Sequence, residues 1–440
     1  MFQLPDKDNL KNKPEKRHFI NEKIVRPRLT RGQIFKRLLL WGAGAVLFGF
    51  LAAVTFAVSE PLAKRYLTEE ETEESVSISI PKDEPESITE PETMETSSEA
   101  PPETQPIEEM VRAEMARYSF SVEDLVKLHT SLTNLSQETD KGIVTVHSMR
   151  TQMDWFNNPV ETSGLYAGAI IAATPEEYLV LTPIGAVQNA DSLEITFPNG
   201  ARVLGQIKGT DQISHMAVIR IAASELDEDV KKQIKVLELG NSYAVKQGEL
   251  IFAGGSPAGI VHSVSIGCVS YVAKNVSVVD GVSRLFYTDA KGEAGKGTFL
   301  FNTKGQIIGW ATDDYKSEGG SMTVVRALSD YKGILEDLSN GHSAPYFGIM
   351  GLEVTEAKHQ EGLPLGIYVN SAVSDGPAYD AGIQSGDIIT RMGENDLVTM
   401  KDFQSSLDKL ASGDVVTVEV QRYGRDAYMP IEYQVTIGAR

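Results

Sequence analysis

The sequence predicts a mainly β protein, with two successive β-barrels followed by a smaller α+β module. Between residues 140 and 340, short apolar runs alternate with turn residues at near-regular spacing, which is typical of closed antiparallel barrels. From residue 344 onwards, strand patterns flank a helical pattern, as in a small α+β fold. In front of both lie an uncharged run that is long enough to cross a membrane and an acidic stretch that is poor in core residues.

The first 58 residues have the charge pattern of a membrane anchor. Residues 1–37 contain eleven Lys or Arg against four Asp or Glu, and residues 38–58 form a run of 21 without a charge. A helix of that length, at about 1.5 Å per residue, spans a hydrocarbon core of about 30 Å. Because basic flanks stay in the cytoplasm, we expect a single-pass protein with its N-terminus inside and its folded domains outside. A cleaved signal peptide is the alternative, but both runs are too long for one.

Residues 59–115 predict a disordered linker. Between residues 68 and 110 there are fifteen Asp or Glu and one Lys, among many Pro, Ser and Thr. Such a composition buries too little apolar surface to offset the entropy of ordering the chain. We therefore expect an extended, solvated tether that holds the folded part away from the membrane. The alternative is an acidic segment that binds a basic partner or cations.

Residues 116–340 predict one helix and then a series of strands. Ser121 is expected to cap the helix, which carries Leu125, Leu128, Leu132 and Leu135 towards the core. The expected strands are 142–147, 178–182, 192–197, 201–207, 216–221, 250–253, 261–272, 284–288, 299–301 and 306–311.

Composition and spacing exclude several classes of function. The net charge of −20 leaves no basic face to release counterions from nucleic acid. The single cysteine, Cys268, lies in an apolar run, so an internal disulfide is excluded and a buried hydrophobic role is expected. The histidines lack the spacing of a metal site, and the glycine-rich runs lack the Lys-Ser/Thr pair of a phosphate loop. We therefore expect neither a metal nor a cofactor.

The run Tyr287–Asn302 resembles the nucleophile loop of the HtrA/DegP serine proteases. Its flanks agree with that loop, with Thr-Asp-Ala before it and Leu-x-Asn after it. The loop is one residue shorter, so the position of the family's serine falls on Lys296 or Gly297. Neither residue can attack a carbonyl as an activated hydroxyl does, and Thr298 lies one or two positions too late.

The other two catalytic positions of the family also differ. The run Leu181–Val187 resembles the segment of the family's histidine and has Gly185 at that position. The run Gly209–Val218 resembles the segment of its aspartate and has His215 there. A triad needs a nucleophile, a base and an anion that fixes the tautomer of the base. The resemblance therefore implies a trypsin-like double β-barrel that is a degenerate, inactive pseudoprotease, in which Lys296 either blocks the former cleft or points to water.

Residues 344–440 resemble the PDZ domain of the same family. The loop Tyr346–Gly351 resembles its carboxylate-binding loop, and the run Ser374–Asn395 resembles its glycine-rich second half. A C-terminal peptide adds to a sheet edge of such a domain, beside a helix, and main-chain N–H groups receive its carboxylate. The peptide-binding residues that this implies are Tyr346, Phe347, Gly348, Ile349 and Met350, with Phe403 and Leu407 on the helix. Ordinary core packing is the alternative for the last two.

Together the resemblances imply a membrane-anchored, catalytically inactive HtrA-like protein of the bacterial cytoplasmic membrane. Its expected work is to bind proteins or peptide C-termini through the PDZ domain, as an adaptor, scaffold or regulator in envelope protein quality control. The alternatives are an active serine endopeptidase with a rearranged site and a chaperone-like holdase. Because relatives in this family are commonly trimers, the resemblance also implies a homotrimer or a mixed oligomer with an active relative.

Overall fold

Two closed antiparallel barrels form the larger part of the structure, a computed structural model that describes residues 77–84, 121–153, 159–316 and 319–440. The predicted cytoplasmic segment 1–37 and the predicted transmembrane helix 38–58 lie outside the described residues. Within the ranges that are described, no helix has the length and apolarity needed to cross a membrane.

One part of the predicted linker is packed against the folded domain. Ile80 is 7% exposed and belongs to the core between the barrels. The backbone of Ile78 donates to and accepts from the side-chain amide of Asn340, over 2.9 and 2.8 Å. The Lys332 ammonium lies 2.9 Å from the Asp83 carboxylate. The prediction of a solvated tether is therefore wrong for residues 77–84, because the alternating isoleucines supply apolar surface that the acidic composition around them conceals.

Helix α1 (Val122–Asp140) leads into the first barrel. Ser121 forms the predicted capping box at its start. The predicted inward stripe is wrong for its first half, because Leu125 and Leu128 are 66% and 53% exposed. Only the later turns of the helix reach the core, where Leu135 packs.

The first barrel is closed by pairing between its first and fourth strands. Its order is β1-β2-β3-β6-β5-β4, and its interior is filled by apolar side chains such as Val146, Ile195 and Ile219. The sequence predicted five of these strands and missed β2, whose mixture of Gly, Ala and polar residues lacks clear alternation. The strands are β1 (Ile143–Met153), β2 (Pro159–Ala173), β3 (Glu177–Pro183), β4 (Ser192–Thr196), β5 (Arg202–Asp211) and β6 (Met216–Ala222).

The second barrel follows the short helix α2 (Glu228–Gln233) and has the order β10-β11-β12-β9-β8-β7. The core between the barrels includes Phe252, Phe301 and Trp310, all at most 2% exposed. The predicted double β-barrel is confirmed. The strands and the closing helix are β7 (Leu250–Gly255), β8 (Ser265–Val278), β9 (Gly281–Thr288), β10 (Thr298–Phe301), β11 (Ile307–Thr312), β12 (Thr323–Ala327) and α3 (Lys332–Ser339).

The C-terminal module is the predicted α+β domain. Its main sheet has the order β14-β15-β16-β18-β19, with β17 paired to β16, so β14 lies at an edge. Thr399 caps the longest helix of the module through a second capping box. The elements are β13 (Pro345–Tyr346), β14 (Ile349–Glu353), α4 (Glu356–Gln360), β15 (Ile367–Ala372), α5 (Pro377–Ala381), β16 (Ile388–Met392), β17 (Asn395–Asp396), α6 (Met400–Leu407), β18 (Val415–Tyr423), β19 (Tyr428–Thr436) and β20 (Gly438–Ala439).

Candidate active site and peptide groove

The three predicted catalytic positions come together where the barrels meet. The backbone N–H of Ile184 donates to the carbonyl of His215 over 2.8 Å, which joins the loops of Gly185 and His215. Tyr166 of β2 connects these loops to the third position, because the Lys296 ammonium lies 4.7 Å from the centre of its ring. The same ring lies beside Gly185, where an added Cβ would be 3.7 Å from Tyr166 Cε1. The loops of the three positions therefore meet around the Tyr166 ring, at the place where the resemblance predicts the catalytic cleft.

Of the two candidate positions in the shortened loop, Gly297 is fixed by close packing and Lys296 is the one that presents a side chain. Gly297 has a φ of 90°, and a Cβ at that position would lie 2.3 Å from the carbonyl oxygen of Ala167. No larger residue fits this close approach without backbone movement. Lys296 is half-buried and stacks its charge on the Tyr166 ring instead of projecting into water.

Among the residues that the structure describes, His215 has a carboxylate partner but no hydroxyl partner. Its Nε2 lies 3.2 Å from Oδ2 of Asp314, which also accepts a hydrogen bond from the buried Arg326. Burial acts to raise the pKa of Asp314, but the hydrogen bond and the charge of Arg326 outweigh it, so the pKa lies below the usual value. The imidazole is thus held by an ion-pair network at the side of the cleft.

Two hydroxyl groups, one in the loop and one beside it in space, are poorly placed for nucleophilic attack. Thr298 is 1% exposed, and its hydroxyl donates to the carbonyl of Glu293 over 2.8 Å. Ser256 is also 1% exposed, and its Oγ has no hydrogen-bond partner among the described residues. Because neither hydroxyl contacts an imidazole in the described structure, neither is activated by a base.

A different hydroxyl–imidazole–carboxylate chain lies at the same junction. Nδ1 of His262 lies 3.0 Å from Oδ1 of Asp140, and its Nε2 lies 3.4 Å from Oγ1 of Thr145. The imidazole and the carboxylate side chains are 32% and 33% exposed. The sequence did not predict this set, because its members come from the end of α1, from β1 and from a turn after β7, which only the tertiary fold brings together.

In the C-terminal module, the predicted carboxylate-binding loop directs three main-chain donors to one point. The N–H groups of Phe347, Gly348 and Ile349 all donate to the side-chain carboxylate of Asp280, over 2.8 to 2.9 Å. Gly348 has a φ of 89°, which supports this turn of the backbone. The loop therefore binds an anion, and in this structure the anion belongs to the second barrel.

The predicted pocket residues on α6 lie in the core of the module. Phe403 is 0% exposed and Leu407 is 4% exposed. The ring of Phe403 packs edge-on against that of Phe347, with centroids 5.4 Å apart. Both side chains thus form the base of the domain beneath the groove, whereas Tyr346 and Met350 lie half-buried at its loop and edge strand.

Comparisons with known proteins agree with both domains. The family model for the trypsin-like peptidase domain matches residues 167–309, and the model for the PDZ domain matches residues 348–432. The chain has 18% sequence identity to the solved structure of the HtrA-type protease AlgW with a decapeptide. The match has a TM-score of 0.50 and covers 70% of this chain and 98% of that one. That likeness supports the fold, which is a trypsin-like domain followed by a PDZ domain.

Relatives of known name place the chain with proteases. It is 28% identical over 336 residues to the serine protease Do-like HtrA of Bacillus subtilis (strain 168), covering 71% of each chain. It is 28% identical over 288 residues to a probable periplasmic serine endoprotease, DegP-like, of Pseudomonas savastanoi, covering 63% of this chain but only 57% of that protein. The chain thus has the domain composition of an HtrA/DegP-like protease with a PDZ domain.

These relatives correct one prediction. The sequence predicted a pseudoprotease that is not an enzyme, whereas the proteins that the chain resembles are named serine proteases and endoproteases. Their names point to protease activity, and the prediction of a non-enzyme is contradicted.

Proposed function

We propose that this chain is an HtrA-like endopeptidase of cell-envelope proteins with a rearranged active site. In this proposal, Gly185, His215 and Lys296 occupy the family's catalytic positions without supplying its chemistry. The PDZ domain recruits substrates by their C-termini. The observation that carries the proposal is the contact chain from Thr145 through His262 to Asp140 at the junction of the barrels.

The position of this chain supports its role. Thr145 of β1 lies opposite Ala167 of β2 in the strand register, and the loop residue Gly297 packs on the backbone of Ala167. The hydroxyl is therefore one strand away from the family's nucleophile loop. Its side chain is partly exposed, unlike the buried hydroxyls of Ser256 and Thr298, so a peptide bond can approach it.

The chemistry follows from the two contacts of the imidazole. When Nδ1–H of His262 donates to Asp140, the tautomer is fixed and Nε2 is free to accept a proton. Oγ1 of Thr145 attacks the scissile carbonyl carbon, and His262 takes the hydroxyl proton and passes it to the leaving amine. A water molecule then attacks the acyl-threonine with His262 as base, which releases the acid and restores the hydroxyl. A hydroxyl–imidazole distance of 3.4 Å is long, as is common before substrate binds.

The test is cleavage of unfolded casein by the purified full-length protein. We expect cleavage by the wild type and a loss of about 10²-fold or more in kcat/KM for Thr145→Ala and His262→Ala. Matched controls come from the pair Thr196 and His147, whose Oγ1 and Nε2 are 3.0 Å apart. Among the described contacts that imidazole has no carboxylate partner, so Thr196→Ala and His147→Ala should retain activity.

Two results would count against the proposal. Absence of cleavage by the wild type, under conditions in which the protein is folded, would overturn the endopeptidase function. Cleavage that survives Thr145→Ala and His262→Ala would overturn the proposed site while leaving the activity intact.

We also propose an adaptor role for the PDZ domain and an extracytoplasmic location for both domains. The anion-binding loop supports recognition of peptide carboxylates, and it serves recruitment whether the client is cleaved or only held. The location is supported by the basic segment before residues 38–58 and the uncharged run itself. Protease added outside wall-stripped cells should remove the domains beyond residue 60, and their protection would exclude this topology.

A further inference from the structure

The groove of the PDZ domain is filled by a hairpin of the second barrel. The tip between β8 and β9 places the carboxylate of Asp280 against the carboxylate-binding loop. Oδ1 accepts from the N–H groups of Gly348 and Ile349, and Oδ2 accepts from the N–H group of Phe347. Asp280 is 4% exposed, so the contact excludes water.

The backbone of the same hairpin adds to the edge of the PDZ sheet. The N–H group of Asp280 donates to the carbonyl of Ile349 over 2.7 Å, and Val279 forms an antiparallel bridge with Met350. The hydroxyl of Ser277 then donates to the carbonyl of Gly351 over 3.0 Å. These contacts extend along β14, which is an edge strand of the main sheet. This is the geometry of strand addition, in which a peptide pairs with an exposed sheet edge.

The hairpin also contacts the other wall of the groove. Gly281 packs on Gln404 of α6 so closely that an added Cβ would lie 2.1 Å from Nε2 of Gln404. Val282 packs against the apolar core of the PDZ domain. The tip therefore lies between β14 and α6, with its carboxylate at the loop and its apolar residue on the core.

We propose that Asp280 is an internal pseudoligand that mimics a peptide C-terminus and keeps the PDZ groove closed until a free carboxylate displaces it. A side-chain carboxylate offers the same two oxygens as a chain terminus. Unlike a chain terminus, Asp280 is followed by further residues. Its φ of 61° and the glycine at position 281 turn the backbone away from the loop. Burial raises the pKa of Asp280 against the opposing effect of the three N–H donors, as expected for a carboxylate held out of water.

This inference rests on the proposed peptide binding. It adds that Asp280 and the peptide C-terminus compete for the same loop. A peptide reaches the loop only in the fraction of molecules whose hairpin is released, so its apparent Kd is raised by the reciprocal of that fraction. Asp280→Asn keeps the size of the side chain but replaces one acceptor oxygen with an N–H₂ group, which faces main-chain donors. We therefore expect this variant to bind peptides about tenfold or more tightly than the wild type.

The first test reads the loop without any peptide. Hydrogen exchange of the full-length protein should show the amides of Phe347, Gly348 and Ile349 protected in the wild type. In Asp280→Asn we expect their exchange to be faster by about tenfold or more. The matched control is Asp375→Asn, because Asp375 also has a positive φ, of 60°, but lies exposed in a turn of the PDZ domain. Unprotected loop amides in the wild type would overturn the pseudoligand.

The second test closes the groove covalently. In a Cys268→Ala background, Val279→Cys and Met350→Cys place two thiols at the antiparallel bridge. The probe is a pool of random decapeptides that end in valine, as free acids and as C-terminal amides. Oxidation should abolish binding of the free acids and reduction should restore it. Equal binding in both redox states would overturn the inference.

The two tests separate this inference from the proposed function. A loop that opens in Asp280→Asn while no free-acid peptide binds would reject the proposed recruitment of C-termini and, with it, the competition. Tight peptide binding by the wild type that Asp280→Asn does not improve would reject the pseudoligand and leave recruitment in place.

Discussion

The barrel cleft and the PDZ groove differ in what each retains. In the cleft, the chemistry depends on side chains, and at the three positions predicted from the family resemblance the chain has Gly185, His215 and Lys296. The groove keeps its donors because they belong to the main chain of Phe347, Gly348 and Ile349. A single substitution can change side-chain chemistry without changing the fold, whereas main-chain chemistry persists as long as the fold does. In this structure Asp280 covers that main-chain site.

The largest expected effect concerns the base of the groove. Phe403→Ala should lower the free energy of unfolding of the PDZ domain by about 3–5 kcal/mol, because it empties a fully buried site. Native-state hydrogen exchange of β15 and β18 measures this value within the full chain. Met429→Ala is the control, since Met429 is 55% exposed and should change stability by about 0.5 kcal/mol or less. A small loss for Phe403→Ala would instead place its ring in an adaptable ligand pocket.

Adding one methyl group to the shortened loop of the cleft should lower stability nearly as much as Phe403→Ala does. Gly297→Ala adds a Cβ that would lie 2.3 Å from the Ala167 carbonyl, at a φ of 90°. We expect a destabilisation of about 2–4 kcal/mol, measured by urea unfolding of the barrels. Gly295→Ala in the same loop is the control, because nothing lies within 4 Å of its added Cβ. Equal stability of the two variants would mean that the loop is not fixed by this packing.

The same comparison explains which features of the structure could be predicted from the sequence and which could not. Local signals predicted the capping box of Ser121 and most strands, because each depends on neighbours in the chain, and the family resemblance predicted the loop Tyr346–Gly351. Strand β2 was missed because its small residues are fixed by the barrel and not by their own alternation. The contact of Asp280 with the loop and the set around His262 both join segments more than 60 residues apart. No local pattern encodes such contacts, so they required the tertiary structure.

A smaller effect tests the helix that forms one wall of the groove. The pKa of Asp402 is lowered because the N–H and hydroxyl groups of Thr399 donate to its carboxylate in the capping box. Asp402→Ala should therefore lower the stability of the PDZ domain by about 1 kcal/mol at pH 7. A lowered folded-state pKa gives stability above the unfolded value of about 3.9, and that stability is lost as the pH falls through the folded value.

The difference between Asp402→Ala and the wild type should consequently shrink as the pH falls from about 4 towards the lower, folded-state pKa. Thermal unfolding at several pH values measures it. Asp426→Ala, in an exposed turn between β18 and β19, is the control and should show no such convergence. A difference that grows at acid pH would contradict the capping role of the ionised carboxylate.

The smallest expected effect compares how firmly the two sites are filled. Lys296 lies over Tyr166 through one cation–π contact at 4.7 Å, worth about 0.5–1 kcal/mol in a partly exposed setting. Lys296→Met keeps the aliphatic length and removes the charge, so we expect a loss of that size, cancelled in a Tyr166→Leu background. Lys291→Met, which changes an exposed residue of the same loop, is the control.

Because Asp280 is held by three main-chain donors and Lys296 by one ring, a substrate should open the cleft more easily than the groove. A coupling energy above about 2 kcal/mol between Lys296 and Tyr166 would reverse that order.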